Sequence, residues 1–150
     1  MRLKDKVTVI SAAASGMGKE GALLFAKEGA IVNVLDINEE AGQAVVDEIK
    51  SNGGEAYFYR VDLSDLNEIE SVIKTIGDKF NRIDVLWNHA GIPGPKGVED
   101  VEEDEFDFAM DLNVKSGFFM TKYALAYMKG GESIIFTAST SGLFGSPLSP

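Results

Sequence analysis

The sequence predicts an α/β fold: a doubly wound parallel sheet in three layers, with five strands and about four helices visible. Three observations carry this. Short runs such as Val7–Ile10 and Ala30–Leu35 are apolar but for Thr8 and Asn33, as suits strands buried on both faces. Longer stretches of helical period alternate with them; Ala22, Leu23, Phe25 and Ala26 recur on one helical face. Clusters of small and polar residues follow the strands, at the end of such a sheet where ligands gather.

Bulk properties narrow the function. A length of 150 residues suits one domain with a real core, spanning 1–150. Lys+Arg 14 against Asp+Glu 24 gives 14 − 24 = −10, which argues against nucleic acid or an anionic membrane as partner. The chain has no cysteine, so neither disulfides nor thiolate chemistry are available, and a cytoplasmic setting is compatible. One histidine and no cysteine leave no visible metal-ligand cluster. Basic residues before Val7–Ala14 imitate a signal peptide, but Asp5, Thr8 and Ser11 interrupt the run. No segment is long enough to span a membrane.

The first strand breaks into Ser11-Ala-Ala-Ala-Ser-Gly-Met-Gly18 and then becomes a helix. Small residues in such a turn let backbone N–H groups and the positive helix end approach a phosphate. Bulk at Gly16 or Gly18 would hold the ligand off or separate helix from strand. Gly16, Gly18 and Gly21 also satisfy a G-x-G-x-x-G pattern, though Gly21 falls well inside the helix and looks accidental. A triphosphate loop ending in Gly18-Lys19 is excluded twice, by Ala13 and by Glu20. Ala12 disfavours positive φ, so the turn must lie at negative φ there or carry strain.

Asp36 closes the second strand. A carboxylate there is placed to accept from the 2′- and 3′-hydroxyls of an adenosine ribose and would repel a 2′-phosphate. Ile37, Asn38, Glu39 and Glu40 follow, with no Arg or Lys to receive that phosphate, so NAD(H) is expected over NADP(H). Asp36 or Asn38 also suits the cap of the helix over Glu39–Ser51. A third strand, Ala56–Val61, ends at Asp62-Leu63; Asp62 or Ser64 suits the cap of a helix from about Asp65 to Phe80. The fourth, Ile83–Trp87, runs into Asn88-His89-Ala90-Gly91. Small Ala90 and Gly91 allow close passage beside a ligand, and the Asn88 amide can tie neighbouring strands. His89 has no visible partner for acid–base work and is expected to be packed or hydrogen-bonded. Gly91–Gly97 is a loop, Glu99–Glu105 a solvated helix start, and Leu112–Met128 a long helix buried on more than one side. Ser133–Thr137 is the fifth strand, followed by Ala138-Ser139-Thr140-Ser141-Gly142.

Taken in order, these segments resemble the short-chain dehydrogenase/reductase family over the whole chain. The TGxxxGxG turn of the family stands here as Ser11-Ala12-x-x-x-Gly16-x-Gly18, and Asn-Asn-Ala-Gly as Asn88-His89-Ala90-Gly91. Leu112-Asn113-Val114 matches the family's Leu-Asn-Val, and Ser139 lies three residues before Gly142. The resemblance implies a Rossmann-type NAD(P)-binding domain and hydride transfer between NAD(H) and a small-molecule alcohol or ketone. It implies that Asp62 with Leu63 brackets the adenine, that Asn113 holds a water in a proton relay, and that the Ser139 hydroxyl donates to the substrate carbonyl.

It also implies that the long helix packs against a second copy, giving a homo-oligomer (dimer or tetramer); a well-buried helix in a monomer is the alternative. The candidate cofactor-binding set is Ser11, Ala12, Ser15, Gly16, Met17, Gly18, Asp36, Ile37, Asp62, Leu63, Asn88, His89, Ala90 and Gly91. The candidate catalytic set is Ser139 and Asn113, with no metal.

The family's Tyr-x-x-x-Lys pair should begin just past Pro150. The 150 residues alone are therefore expected to be inactive, a domain incomplete at its C-terminal end with apolar surface and a long sheet edge exposed. A non-catalytic dinucleotide-binding fragment is the alternative function. An S-adenosylmethionine-dependent methyltransferase fits the turn and Asn88–Gly91 less well.

Overall fold

A computed structural model describes residues 1–94, 97 and 99–144. Five parallel strands lie in the order β3-β2-β1-β4-β5: β1 (Val7–Ser11), β2 (Ile31–Asp36), β3 (Glu55–Arg60), β4 (Val85–Asn88) and β5 (Ser133–Phe136). Helices α1 (Gly16–Lys27) and α2 (Glu39–Ser51) cover one face, α3 (Leu66–Phe80) and α5 (Ser116–Ala124) the other. The two-residue period of a strand, with a core on each face, explains why the runs are apolar at nearly every position. In β1, Val7 and Val9 enter the core under α3 and α5, while Ile10 enters the core under α1 and α2. In β2, Leu35 goes to the first core, Val32 and Val34 to the second.

Helix starts follow local chemistry, with one exception. The Asn38 side chain caps α2 by accepting from Ala41 N–H at 3.0 Å. Asp65, rather than Asp62 or Ser64, caps α3, accepting from Asn67 N–H at 2.7 Å. Asp62 is instead occupied by Ser64, whose N–H and hydroxyl both donate to it. Helix α4 (Glu103–Met110) opens on a reciprocal capping box between Glu102 and Glu105. Only α1 among these four has no side-chain cap and no acidic residue in its first turn.

The long helix departs from its expected form. It begins earlier, as α4, and passes through a π-helical turn at Asp111–Lys115 before α5. The wide turn leaves the Leu112 carbonyl to the Ser116 hydroxyl, which donates to it at 2.6 Å. Nor is this helix buried on several sides. Met120 and Ala124 are buried, whereas Phe118 is 64% exposed and Val114 and Leu125 are both 55% exposed. The edge strand β5 likewise leaves Ile135 and Phe136 uncovered among the described residues. A short α6 (Ser141–Phe144) follows it.

At the N-terminal end of the sheet, Asp84 staples β1 to β4. It is 5% exposed, accepts from Val7 N–H at 2.8 Å and Lys6 Nζ at 3.1 Å, and pairs with Arg82. Burial opposes its charge, but the Arg82, Val7 and Lys6 donors outweigh that and hold the carboxyl below its ordinary value. Stability from Asp84 is therefore present above the ordinary carboxylate range and lost as pH falls through the depressed value. D84N should cost roughly 3 kcal/mol at neutral pH and flatten the acid limb of stability. Urea unfolding at pH 7 and pH 3 tests this; a variant with unchanged pH dependence would contradict it.

Candidate functional site

Because all five strands are parallel, their C-terminal ends share one edge of the sheet, and the predicted site residues gather there. The strand order reverses between β1 and β4, and there Ser11 is decisive. Its hydroxyl, 1% exposed, accepts from His89 N–H at 2.9 Å and Ala90 N–H at 3.0 Å, and leans on the Trp87 carbonyl at 3.4 Å. Its hydrogen-bonding capacity is taken up by backbone, so Ser11 shapes the turn and offers no free group to a ligand. The sequence suggested that the Asn88 amide ties neighbouring strands; between β1 and the end of β4 that tie is made by Ser11. The Asn88 amide reaches α5 instead, donating to Thr121 Oγ1 at 3.2 Å.

The turn after β1 carries its strain openly. Ala12 sits at φ 51°, the left-handed region that alanine disfavours, and Gly16 at φ 52°. Ser15, Gly16 and Met17 are exposed, and no side chain caps the first N–H groups of α1. Gly18 is buried; a Cβ there would overlap the Ala12 carbonyl oxygen and approach His89 Cδ2 to 2.9 Å. Gly21 is no accident of pattern. A Cβ at that position would overlap the Trp87 ring, so the third glycine lets α1 lie directly on β4.

Asp36 is tied into the same turn. One carboxylate oxygen accepts from Ala14 N–H at 3.0 Å and the other from Asn38 N–H at 3.0 Å, which aims the group beside the mouth of α1. Ile37 is 57% exposed next to it. After β3, Asp62 accepts both Ser64 donors on one oxygen, and these bonds lower its pKa. Leu63 is buried in the core beneath.

On the other side of the reversal, Asn113 clasps the loop that follows Gly91. Its Oδ1 accepts from Ile92 N–H at 2.7 Å and its Nδ2 donates to the Ile92 carbonyl at 3.0 Å. The amide thus serves a neighbouring loop. Gly91 is close enough that a Cβ would meet Asn113 Oδ1 at 3.2 Å. Of the loop predicted over Gly91–Gly97, Pro95 and Lys96 lie outside the described residues. Ser139, exposed beyond β5, accepts from Ser141 N–H at 3.2 Å at the head of α6.

His89 is held as the sequence suggested. Its Nδ1 lies 2.8 Å from Thr137 Oγ1, which also receives the Trp87 indole N–H at 2.9 Å. Burial lowers its pKa, favouring the neutral ring. Thr137 escaped the sequence reading; its only signal was a hydroxyl at a strand end. Two surface grooves, one between β3 and α3 and one beside the C-terminal ends of α1 and α2, lie apart from these groups. Among the described residues no cluster of three or more His, Cys, Asp or Glu suits a metal. No helix there is long and apolar enough to cross a membrane.

The sheet order and the paired helical layers define a Rossmann-type doubly wound α/β domain. The family described as short chain dehydrogenase matches residues 6–150, and the chain belongs to it. An uncharacterized oxidoreductase of Thermotoga maritima is 42% identical over 98% of this chain and 59% of its own length. A solved 7α-hydroxysteroid dehydrogenase, complexed with NADH and 7-oxo glycochenodeoxycholic acid, is 37% identical with a TM-score of 0.90. That match covers 95% of this chain and 56% of the other. A short chain dehydrogenase from Burkholderia cenocepacia in complex with NADP is 25% identical with a TM-score of 0.94, over 99% of this chain and 61% of that one. The chain therefore spans less than two thirds of the relatives it matches.

The left-handed Ala12 leads to a direct expectation. A12G should raise stability by about 1 kcal/mol, read as a higher Tm; an unchanged or lower Tm would show that the turn is not strained.

Proposed function

We propose that this chain binds NAD(H) across the strand tips and serves an oxidoreductase that interconverts an alcohol and a ketone. The observation that carries the reading is the junction of Asp36 with the α1 turn. An uncapped helix N-terminus, a glycine that admits no side chain, and a fixed carboxylate stand together at the point where the strand order reverses. In this reading the N–H groups of Ser15 to Gly18 receive the pyrophosphate, with Ala12 and Met17 framing the turn. Asp36 accepts from ribose hydroxyls, with Ile37 beside the adenine. The second oxygen of Asp62, with the backbone at Leu63, meets the far edge of that ring.

The segment from Asn88 to Gly91 lines the nicotinamide side. When bound, NAD supplies the hydride acceptor. Ser139 donates its hydroxyl to the substrate oxygen, and Asn113 keeps the loop after Gly91 in place beside a relay water. The absence of a basic residue between Ile37 and Glu40 favours NAD(H) over NADP(H). The uncovered apolar side chains of α4 and α5, Phe106, Phe108 and Phe118 among them, support a homo-oligomer. An acidic chain without cysteine suits a cytoplasmic setting.

Titration of the protein with NADH and NADPH, followed by nicotinamide fluorescence, tests the reading. NADH should bind the more tightly, and D36A should weaken it about 10-fold, the loss of charge-assisted hydrogen bonds worth ~1.4 kcal/mol. Equal affinity of wild type and D36A, or preference for NADPH, would contradict the assignment. In NAD-linked oxidation of secondary alcohols by a protein that also carries the family's Tyr-x-x-x-Lys pair, S139A should lower kcat about 100-fold; undiminished turnover would remove Ser139 from the site.

A further inference from the structure

The side chains of His89, Thr137 and Trp87 form a connected group. Beyond the place of His89 in the segment that lines the nicotinamide side, the proposed function gives this group no role. The indole of Trp87 can only donate, and it donates to Thr137 Oγ1 at 2.9 Å. The single proton of that hydroxyl is free to go to His89 Nδ1 at 2.8 Å, and the neutral ring is assigned its proton on Nε2, the tautomer in which Thr137 both accepts and donates. The opposite edge of the ring, at Cδ2, faces Gly18 so closely that no side chain fits between them. Trp87 lies against the same helix, under Gly21 and stacked on Phe25 at 5.8 Å between ring centroids. Thr137 is pinned by its own N–H to the Asn88 carbonyl at 2.9 Å, two residues before Ser139.

We propose that His89 is a positioning residue: it fixes the Thr137 hydroxyl, and with it the start of the Ser139 loop, to the first turn of α1, so that the dinucleotide turn and the substrate loop form one rigid unit. An asparagine at this place has a shorter side chain and no second ring edge to rest on Gly18. The link is specific to the imidazole, the threonine and the indole together. Its importance for turnover rests on the function proposed above; its existence as a hydrogen-bonded unit does not.

The unit carries a built-in readout. Protonation of His89 places a proton on Nδ1, which must then donate to Thr137 Oγ1. The threonine proton loses its acceptor and the hydroxyl becomes a double acceptor for ring and indole. Among the described residues the groups shown against the imidazole are Gly18 of α1, Trp87 of β4 and Thr137 beyond β5, none of them charged. The titratable residues on the adjoining turn of α1 are Lys19, paired with Glu48 at 2.9 Å, and Glu20, exposed to solvent.

In the full protein, the indole N–H resonance of Trp87, identified by its loss in W87F, should shift with pH through one midpoint below the ordinary histidine value of about 6.5. In H89N it should not titrate over that range. A flat wild-type titration, or the same titration in H89N, overturns the proposal. In turnover with NAD, T137V should lower kcat about 10-fold while the Kd for NADH stays within about twofold, and T137S should restore the rate. Unchanged kcat in T137V, or equal loss of kcat and NADH affinity, also overturns it. A wild type that binds no NADH refutes the dinucleotide reading instead, and the indole titration still decides this one.

Discussion

The hydroxyl of Ser11 is the point on which the rest of the site depends. Strands β1 and β4 are neighbours, yet the chain leaves them in opposite directions, β1 into α1 and β4 into the loop after Gly91. Where two strands part in this way, backbone N–H groups near the fork lose their ladder partners while still screened from water. Ser11 supplies the missing acceptor to two of them, His89 N–H and Ala90 N–H, from a side chain that is 1% exposed. An apolar residue there would leave both donors unpaired. The fork is thus held at one width, with the glycine turn on one side and Asn88–Gly91 on the other.

From that fork the other features follow by packing. Helix α1 descends onto β4 because Gly18 and Gly21 present no side chains to His89 and Trp87. The close seat aims the uncapped end of α1 at the space above the fork, where its N–H groups are unsatisfied. Asp36 reaches into the same space because its carboxylate is anchored to Ala14 of the turn as well as to Asn38. The π-helical turn at Asp111–Lys115 performs the equivalent service on the other side. By widening the helix it brings the Asn113 amide to the backbone of Ile92. The opposite end of the sheet is closed by Asp84, so the stability of the sheet and the openness of its ligand edge are assigned to different residues.

What could be read from the sequence, and what could not, divides along physical lines. Strands β1, β2 and β4 were legible because burial on both faces leaves runs that are almost wholly apolar, as in Val7–Ile10 and Ala30–Leu35. The outer strands β3 and β5 were legible from aromatic and β-branched residues, not from burial. The clustering of site residues followed from parallel strands alone. Contacts made by small residues were not legible. Gly21 looked accidental because no sequence pattern reveals that Trp87 lies beneath it, and the sequence left open whether Ala12 lies at negative φ or carries strain, of which it does the second. Short polar side chains were misassigned for a related reason. Asp62, Ser64 and Asp65 are equally suited to cap a helix, and only the path of the chain selects Asp65. The long helix was read as buried because its aromatics encircle it, whereas Phe118 faces outward among the described residues.

The most direct test of the account is a crystal structure of the protein with NADH bound. The account predicts the pyrophosphate over Ser15 to Gly18, the adenosine ribose within hydrogen-bond distance of Asp36, and the Ser11 clamp unchanged beneath them. A dinucleotide seated elsewhere, such as the groove between β3 and α3 lined by Arg60 and Glu68, with the α1 turn empty, would contradict it.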